Sequence, residues 1–307
     1  MKTVLISGGS GMIGTFLTKG LLAKGYDVRH LSKKKEGEKP TDIPTFSWNI
    51  EKSFLDSEAL QGTDVIIHLA GASITEKKWT EEQKKKILNS RIDGAKLLFE
   101  KIEVLDKKPT VFISASGVGY YGNITQEKSL TEETPAGEDD YFLAKVCKAW
   151  EEQAFRFKEL AMRCVCIRTP VVFSDKAYAL DEMKKIIKFY LGAPLGSGKQ
   201  FVPWIHIDDL TSMYIKAIED AQWEGPYNAV APEIITNKIF IKEAARILDR
   251  PVLLPNAPSS LLKFFFGEMI EMLLGGSPIS SQKAIDGGFT FKHPQLREAL
   301  ENIWKKK

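Results

Sequence analysis

The stretch that decides the fold lies at the start of the chain, where the apolar run Val4-Leu5-Ile6 leads into the heptapeptide GGSGMIG at residues 8–14. An amphipathic segment, Ile13 to Leu22, follows directly. A strand, a glycine-rich turn and a helix in this order bind the pyrophosphate of a dinucleotide. The glycines allow a tight turn, and the helix start presents free N–H groups to the negative charge. We therefore predict a dinucleotide site that contains Gly8, Ser10, Gly11, Met12, Ile13 and Gly14.

Composition indicates an ordinary globular protein. The 307 residues are 43% hydrophobic and 27% charged, and the net charge of +3 does not argue for nucleic-acid binding. No apolar run reaches the roughly 18 residues of a membrane span, so none is expected. The richest apolar segment, Leu261 to Leu274, contains several charges. It predicts an amphipathic helix packed on a domain, with membrane-surface attachment as the alternative.

Cysteine usage predicts a reducing compartment. Cys164 and Cys166 flank Val165 in an apolar strand pattern, so both face the same side, and with Cys147 they are expected to be buried thiols. The chain opens on its first strand, which leaves no room for a signal peptide. We therefore expect a cytoplasmic protein.

The first half of the chain alternates strand and helix patterns, which predicts an α/β fold with a doubly wound parallel sheet of the Rossmann type. Ligands of such sheets lie at the carboxyl ends of the strands. After Thr169 the pattern becomes irregular. We expect a nucleotide-binding domain over 1–230 and a small substrate lobe over 231–307, with 174–203 contributing to that lobe. The predicted strands are 2–7, 27–31, 65–69, 110–115 and 163–168, and the predicted helices are 13–24, 81–104 and 142–157.

The second strand bears on which dinucleotide is bound. NAD sites offer a carboxylate to the ribose about 20 residues past the glycine turn. Here the strand ends in Ser32-Lys33, a charged loop follows, and the first acid is Glu36. A hydroxyl and an ammonium group suit a 2′-phosphate, so Ser32 and Lys33 favour NADP.

Three residues in order predict a catalytic group. Ser116 follows an apolar strand, and Tyr141 and Lys145 stand at i and i+4 on one helix face. A tyrosine has a pKa near 10, and a neighbouring ammonium group with an oxidised nicotinamide favours its phenolate. The tyrosine then exchanges a proton with a substrate oxygen that the serine orients, while the cofactor exchanges the hydride.

Taken together, these motifs resemble an extended or atypical short-chain dehydrogenase/reductase. Its epimerase-like subfamily, often labelled sugar nucleotide epimerase, has a C-terminal domain of unknown function that the tail from Arg250 to Leu300 resembles. The motifs that carry the resemblance are GGSGMIG, DVIIHLAG at 64–71, Lys78-Trp79-Thr80, Ser90-Arg91, Gly119 to Gly122, Gly196-Ser197-Gly198, Trp204-Ile205-His206 and Gly225 to Asn228.

The resemblance implies NADP contacts at Ser32, Lys33, Leu69, Ala70 and Arg91, with Lys86 a weaker candidate. Related enzymes often form homodimers through the helices that correspond to 81–104 and 142–157, but the sequence leaves the oligomeric state open. Many members carry an acid in place of Tyr141, so Tyr120 or Tyr121 is an alternative proton-transfer group. His206 is expected to be structural, and no His, Cys, Asp or Glu grouping has metal-ligand spacing.

Two functions follow. The first is an NADP-dependent oxidoreductase or epimerase acting on a small hydroxylated or carbonyl substrate, a nucleotide sugar among the options. Ser116, Tyr141 and Lys145 would be its catalytic residues. The second is a non-catalytic NADP(H)-binding protein that reports redox state.

Overall fold

The computed structural model describes residues 1–33 and 42–305. The predicted charged loop covers residues 33–40. Lys33 is the only one of its residues among those that the structure describes. An eight-stranded sheet has the order β10-β7-β6-β5-β1-β2-β3-β4, and β8 pairs with β9 in a second, parallel sheet. The strands are β1 (Thr3–Ser7), β2 (Asp27–Ser32), β3 (Thr45–Asn49), β4 (Phe54–Leu55), β5 (Val65–His68), β6 (Val111–Gly117), β7 (Arg163–Thr169), β8 (Val171–Phe173), β9 (Trp204–His206) and β10 (Gly225–Asn228).

Pairing in the large sheet is parallel except between β3 and β4. The central strands are apolar on both faces because helices cover both faces of the sheet. Along β1, for example, Val4, Leu5 and Ile6 are completely buried. The prediction of a doubly wound parallel sheet is confirmed.

Helices cover the two faces as follows. The helix α1 packs with α5 over one face through Leu17 and Leu210, and α2 packs with α3 over the other through Leu98 and Ala154. The helices are α1 (Met12–Ala23), α2 (Glu81–Glu103), α3 (Phe142–Phe155), α4 (Tyr178–Lys188), α5 (Ile207–Glu219), α6 (Asn237–Ile247), α7 (Ser259–Phe266), α8 (Glu271–Leu274), α9 (Gln282–Asp286) and α10 (Leu296–Trp304).

A smaller lobe has its own apolar core, in which Leu180 and Ile187 of α4 pack with Phe240 of α6 and Leu300 of α10. Residues from 174–203 and from the C-terminal region thus share one cluster. The domain boundary at residue 230 stays a prediction.

The apolar segment Leu261 to Leu274 is not one helix, and this expectation was wrong. It consists of α7, a 3₁₀ turn over Gly267–Ile270 and α8. Gly267 has a φ of 59°, which an α-helix does not accommodate. No helix among the described residues is long and apolar enough to cross a membrane. The three cysteine thiols are free and buried, as expected.

Candidate functional site

The glycine turn after β1 is built by close backbone contacts. Gly8 has a φ of 77°, and a Cβ there would lie 3.0 Å from the amide nitrogen of Ala70. A Cβ on Gly14 would lie 2.6 Å from the Cα of Gly9, and the Gly11 N–H donates to the Gly8 carbonyl at 3.1 Å. Gly8 and Gly14 therefore accept only glycine without a shift of backbone.

The helix that follows the turn begins without a side-chain cap. Gly11 is the N-cap residue of α1, and no side chain accepts a hydrogen bond from the first turn. Ser10 is exposed, and Met12 and Ile13 are half-buried. The first N–H groups of an α-helix have no intrahelical partner, and together with the helix dipole they attract phosphate. The cradle fits a dinucleotide pyrophosphate.

One residue that supports the turn was missed from the sequence. His30 of β2 lies beneath Gly9, where a Cβ would overlap its ring, and its Nε2 is 2.8 Å from the Thr18 hydroxyl. Burial lowers the pKa of His30. A neutral ring that fills the space under the turn holds the turn against α1.

The loop after β5 lies beside the turn. The Leu69 N–H donates to the Ser7 carbonyl at 3.0 Å, and the Ala70 N–H donates to the Ser7 hydroxyl at 3.4 Å. Leu69 and Ala70, which are predicted to contact NADP, are half-buried and border the glycine turn. The carboxyl ends of β1 and β5 thus form one edge.

Arg91, predicted to contact NADP, is buried beneath this loop. Its guanidinium donates to the carbonyls of Ala72 (3.1 Å) and Ile87 (2.9 Å) and stacks over the Trp150 ring at 4.7 Å. Burial lowers its pKa. In this arrangement Arg91 supports the backbone of the loop, and a direct contact with the cofactor stays a prediction.

Ser32 and Lys33 lie at the carboxyl end of β2, where the ribose of a dinucleotide is expected. Ser32 is half-buried and Lys33 is exposed. A cavity of about 410 Å³ adjoins Lys33 and extends to the hairpin between β3 and β4.

Ser116, the predicted catalytic serine, is 4% exposed and donates to Glu151 Oε1 at 2.7 Å. The same carboxylate receives two hydrogen bonds of 2.8 Å from the Arg168 guanidinium, and both charged side chains are buried. Burial by itself lowers the pKa of Arg168, but the hydrogen bonds and charge of Glu151 raise it on balance. The Ser116 hydroxyl is therefore part of a structural network, and its catalytic role stays a prediction.

The same guanidinium contacts both alternative tyrosines. It donates to the Tyr121 hydroxyl at 2.8 Å and lies 3.6 Å from the centre of the Tyr120 ring. Tyr121 in turn donates to Asn228 Oδ1 at 2.7 Å, and burial raises its pKa to about 12. Tyr121 is buried, whereas Tyr120 is half-buried.

Tyr141 and Lys145 lie at the start of α3, and their position on one helix face stays a prediction, because Tyr141 precedes the helix. Tyr141 is the N-cap residue of α3, and the Lys145 N–H donates to its carbonyl at 3.2 Å. Lys145 is exposed, and Tyr141 packs beside Met269 and Met272 of the C-terminal region. Burial raises the pKa of the Tyr141 phenol, and the charge of Glu271 raises it further. This pKa shift of Tyr141 is opposite to the predicted one, in which a neighbouring ammonium group and an oxidised nicotinamide favour the phenolate.

Comparison with known proteins decides the family. Residues 4–230 match the profile of the NAD dependent epimerase/dehydratase family, and residues 257–303 match a domain of unknown function, DUF1731. This chain belongs to the NAD dependent epimerase/dehydratase family. The resemblance noted from the sequence motifs is confirmed.

Relatives within this epimerase/dehydratase family match along the whole chain. Epimerase family protein SDR39U1 of Mus musculus is 34% identical over 98% of this chain and 99% of its own length. Epimerase family protein YfhF of Bacillus subtilis is also 34% identical, over 98% of this chain and 97% of its own.

Solved structures also match along nearly the whole of this chain. The crystal structure of human SDR39U1 (isoform 2) with NADPH has a TM-score of 0.86 at 30% identity, covering 99% of this chain and 100% of that one. A nucleoside-diphosphate sugar epimerase from Corynebacterium glutamicum has a TM-score of 0.78 at 31% identity, covering 98% of this chain and 58% of that one. The predicted cofactor agrees with the NADPH of the human relative.

In this epimerase/dehydratase family member, the tertiary structure also assembles a cluster that sequence spacing did not indicate. Candidate ligand atoms of His206, Asp208 and His293 lie within 4.8 Å of one another. However, His206 Nδ1 accepts the Asp208 N–H at 3.1 Å, and the Lys292 ammonium lies 2.9 Å from the Asp208 carboxylate. Asp209 beside it accepts the N–H groups of Lys292 and His293. The cluster joins α5 to the C-terminal segment, which agrees with the structural role expected for His206.

Proposed function

We propose that this chain binds NADP(H) and acts as an oxidoreductase or epimerase on a small hydroxylated or carbonyl substrate. The observation that carries the proposal is the uncapped glycine turn after β1, in which Gly8 and Gly14 leave no room for a Cβ beside Ala70 and Gly9. The human relative crystallised with NADPH supports the choice of cofactor.

The turn would hold the pyrophosphate through the first N–H groups of α1, and Leu69 and Ala70 would border the cofactor. Ser32 and Lys33 would contact the 2′-phosphate. Bound NADPH supplies a hydride to a carbonyl carbon. These roles follow from the carboxyl-edge position of every residue named.

Tyr141 would donate the proton to the substrate oxygen. Because burial and Glu271 raise its pKa, the phenol carries its proton at neutral pH and is ready to act as an acid. Lys145, exposed near the start of α3, would offset the negative charge when the phenol loses its proton. Ser116 would orient the substrate only after releasing Glu151.

The test compares Tyr141→Phe with Tyr26→Phe as the matched control, because Tyr26 pairs with Glu219 away from the predicted cofactor edge. We expect Tyr141→Phe to lose at least a hundredfold in NADPH-dependent turnover of a carbonyl panel and to keep its NADPH affinity. Equal activity in both variants would exclude Tyr141 and turn attention to Tyr120.

Labelled NADPH separates the two reactions. Transfer of the label to a released product indicates a reductase. Inversion at a substrate carbon with NADP⁺ as the added cofactor, and without net formation of NADPH, indicates an epimerase, because the hydride taken from the substrate returns to it. Nucleotide sugars belong in the panel, since one relative is described as a nucleoside-diphosphate sugar epimerase.

A second candidate is a non-catalytic NADP(H)-binding protein, and the engagement of Ser116 by Glu151 favours it. It predicts NADPH binding with no turnover of any substrate in the panel. A homodimer through α2 and α3 and a cytoplasmic location stay predictions.

A further inference from the structure

A second lysine lines the cavity beside Lys33. Besides Lys33 at the end of β2, it is lined by Ser47 and Asn49 of β3 and by Lys52 of the hairpin that joins β3 to β4. This open cleft has a volume of about 410 Å³, which is in the range of ligand clefts. Parallel strands end at the same edge, so this cavity adjoins the predicted ribose position.

The hairpin holds Lys52 in a defined place. Trp48 pairs with Leu55 across the hairpin, and both side chains are buried in the core. The Lys52 N–H donates to Asn49 Oδ1 at 3.1 Å, and the Ser53 N–H donates to the Ile50 carbonyl at 3.2 Å. A cation on a fixed turn loses less conformational entropy on binding than one on a free loop.

The charges of the cavity suit a phosphate monoester. Lys33 and Lys52 contribute two ammonium groups, and Glu51 contributes one carboxylate. A phosphate monoester carries roughly −1.5 to −2 at neutral pH, so it compensates both lysines, whereas the uncharged ribose hydroxyl of NAD compensates neither. Glu51 would weaken the binding of the anion through like-charge repulsion.

We propose that Lys52 binds the 2′-phosphate of NADP from the hairpin wall of this cavity and thereby determines the preference for NADP over NAD. The inference rests on the proposed function, in that the chain must bind the dinucleotide at the glycine turn. It adds a residue from β3–β4 to a site that the sequence placed on β2 alone.

The test is a fluorescence titration of the full chain with NADPH and with NADH. In Lys52→Met we expect the Kd for NADPH to rise about tenfold, as for the loss of one charge-assisted hydrogen bond, and the Kd for NADH to stay within twofold. Glu51→Gln should lower the Kd for NADPH. Lys24→Met is the matched control, because Lys24 pairs with Glu219 at the far end of α1.

High salt gives an independent readout. Raising the salt from 0.05 to 0.5 M, on the order of a threefold shorter Debye length, should reduce the difference between wild type and Lys52→Met. An unchanged Kd for NADPH in Lys52→Met, or an equal rise for NADH, would overturn the assignment of Lys52. Failure of the wild type to bind either dinucleotide would overturn the proposed function and the assignment with it. Lys52 is exposed, so its replacement should leave the melting temperature unchanged. That measurement checks that the variant is folded.

Discussion

Replacing Glu151 with glutamine should strongly destabilise the fold. The side chains of Glu151 and Arg168 are 5% and 2% exposed, and two hydrogen bonds of 2.8 Å join them. Glutamine keeps one acceptor for Arg168 and Ser116, but it turns an NH₂ toward a guanidinium N–H and removes the negative charge. Breaking a buried ion pair in this way costs about 3–5 kcal/mol, because a desolvated cation loses its counter-charge.

The measurement is urea unfolding at pH 7, followed by circular dichroism. The expected loss corresponds to a factor of roughly 10²–10³·⁵ in the folding equilibrium. Glu219→Gln serves as control: its pair with Lys24 has a similar distance of 2.9 Å, but its side chains are 41% and 49% exposed, so the loss should stay below about 1 kcal/mol. An equal, small loss in both variants would refute the reasoning that burial sets the cost.

Two further predictions concern the glycine turn and a buried histidine. Gly14→Ala should raise the Kd for NADPH roughly 5- to 150-fold, because the added Cβ displaces the backbone of Gly9 at a cost of about 1–3 kcal/mol. Gly20→Ala in the same helix is the control. Its Cβ meets only side-chain atoms, so this variant should bind NADPH like the wild type. A Gly14→Ala variant that binds like the wild type would contradict this geometry. Burial lowers the pKa of His68 to about 4 from its ordinary 6.5. The neutral form of His68 therefore stabilises the fold fully above pH 6.5. Between pH 7.5 and 4.5 the free energy of unfolding should fall by about 2–3 kcal/mol. His68→Asn should lack this part of the pH dependence in urea unfolding, and an identical slope in both proteins would count against it.

Most of the central sheet was predictable because its strands are local apolar runs. The strand β10 was missed, since Gly225-Pro226 indicates a turn. Pro226 is tolerated in this strand because β10 lies at the edge of the sheet and pairs with β7 alone, so a residue without an N–H breaks no ladder on its outer side. The hairpin of β3 and β4 was also missed, and with it the cavity wall that carries Lys52.

The orientation of Ser116 could not be read from the pattern. Ser114, Ala115 and Ser116 are all buried, because helices cover both faces of β6, so burial along the strand gives no sign of which side chain reaches a ligand. The partner of Ser116 is decided by α3, which brings Glu151 beneath the strand, and by β7, where Arg168 is its neighbour in register.

The sequence by itself determined the glycine turn, the strand before it and the helix after it, because backbone sterics and the helix terminus act over a few consecutive residues. It also set the four-residue separation of Tyr141 and Lys145 at the start of α3. Only the tertiary structure decided what surrounds these residues: Glu151 and Arg168 at Ser116, Glu271 near Tyr141, and Lys52 near Lys33. Those partners are distant along the chain, and burial and charge depend on packing in space.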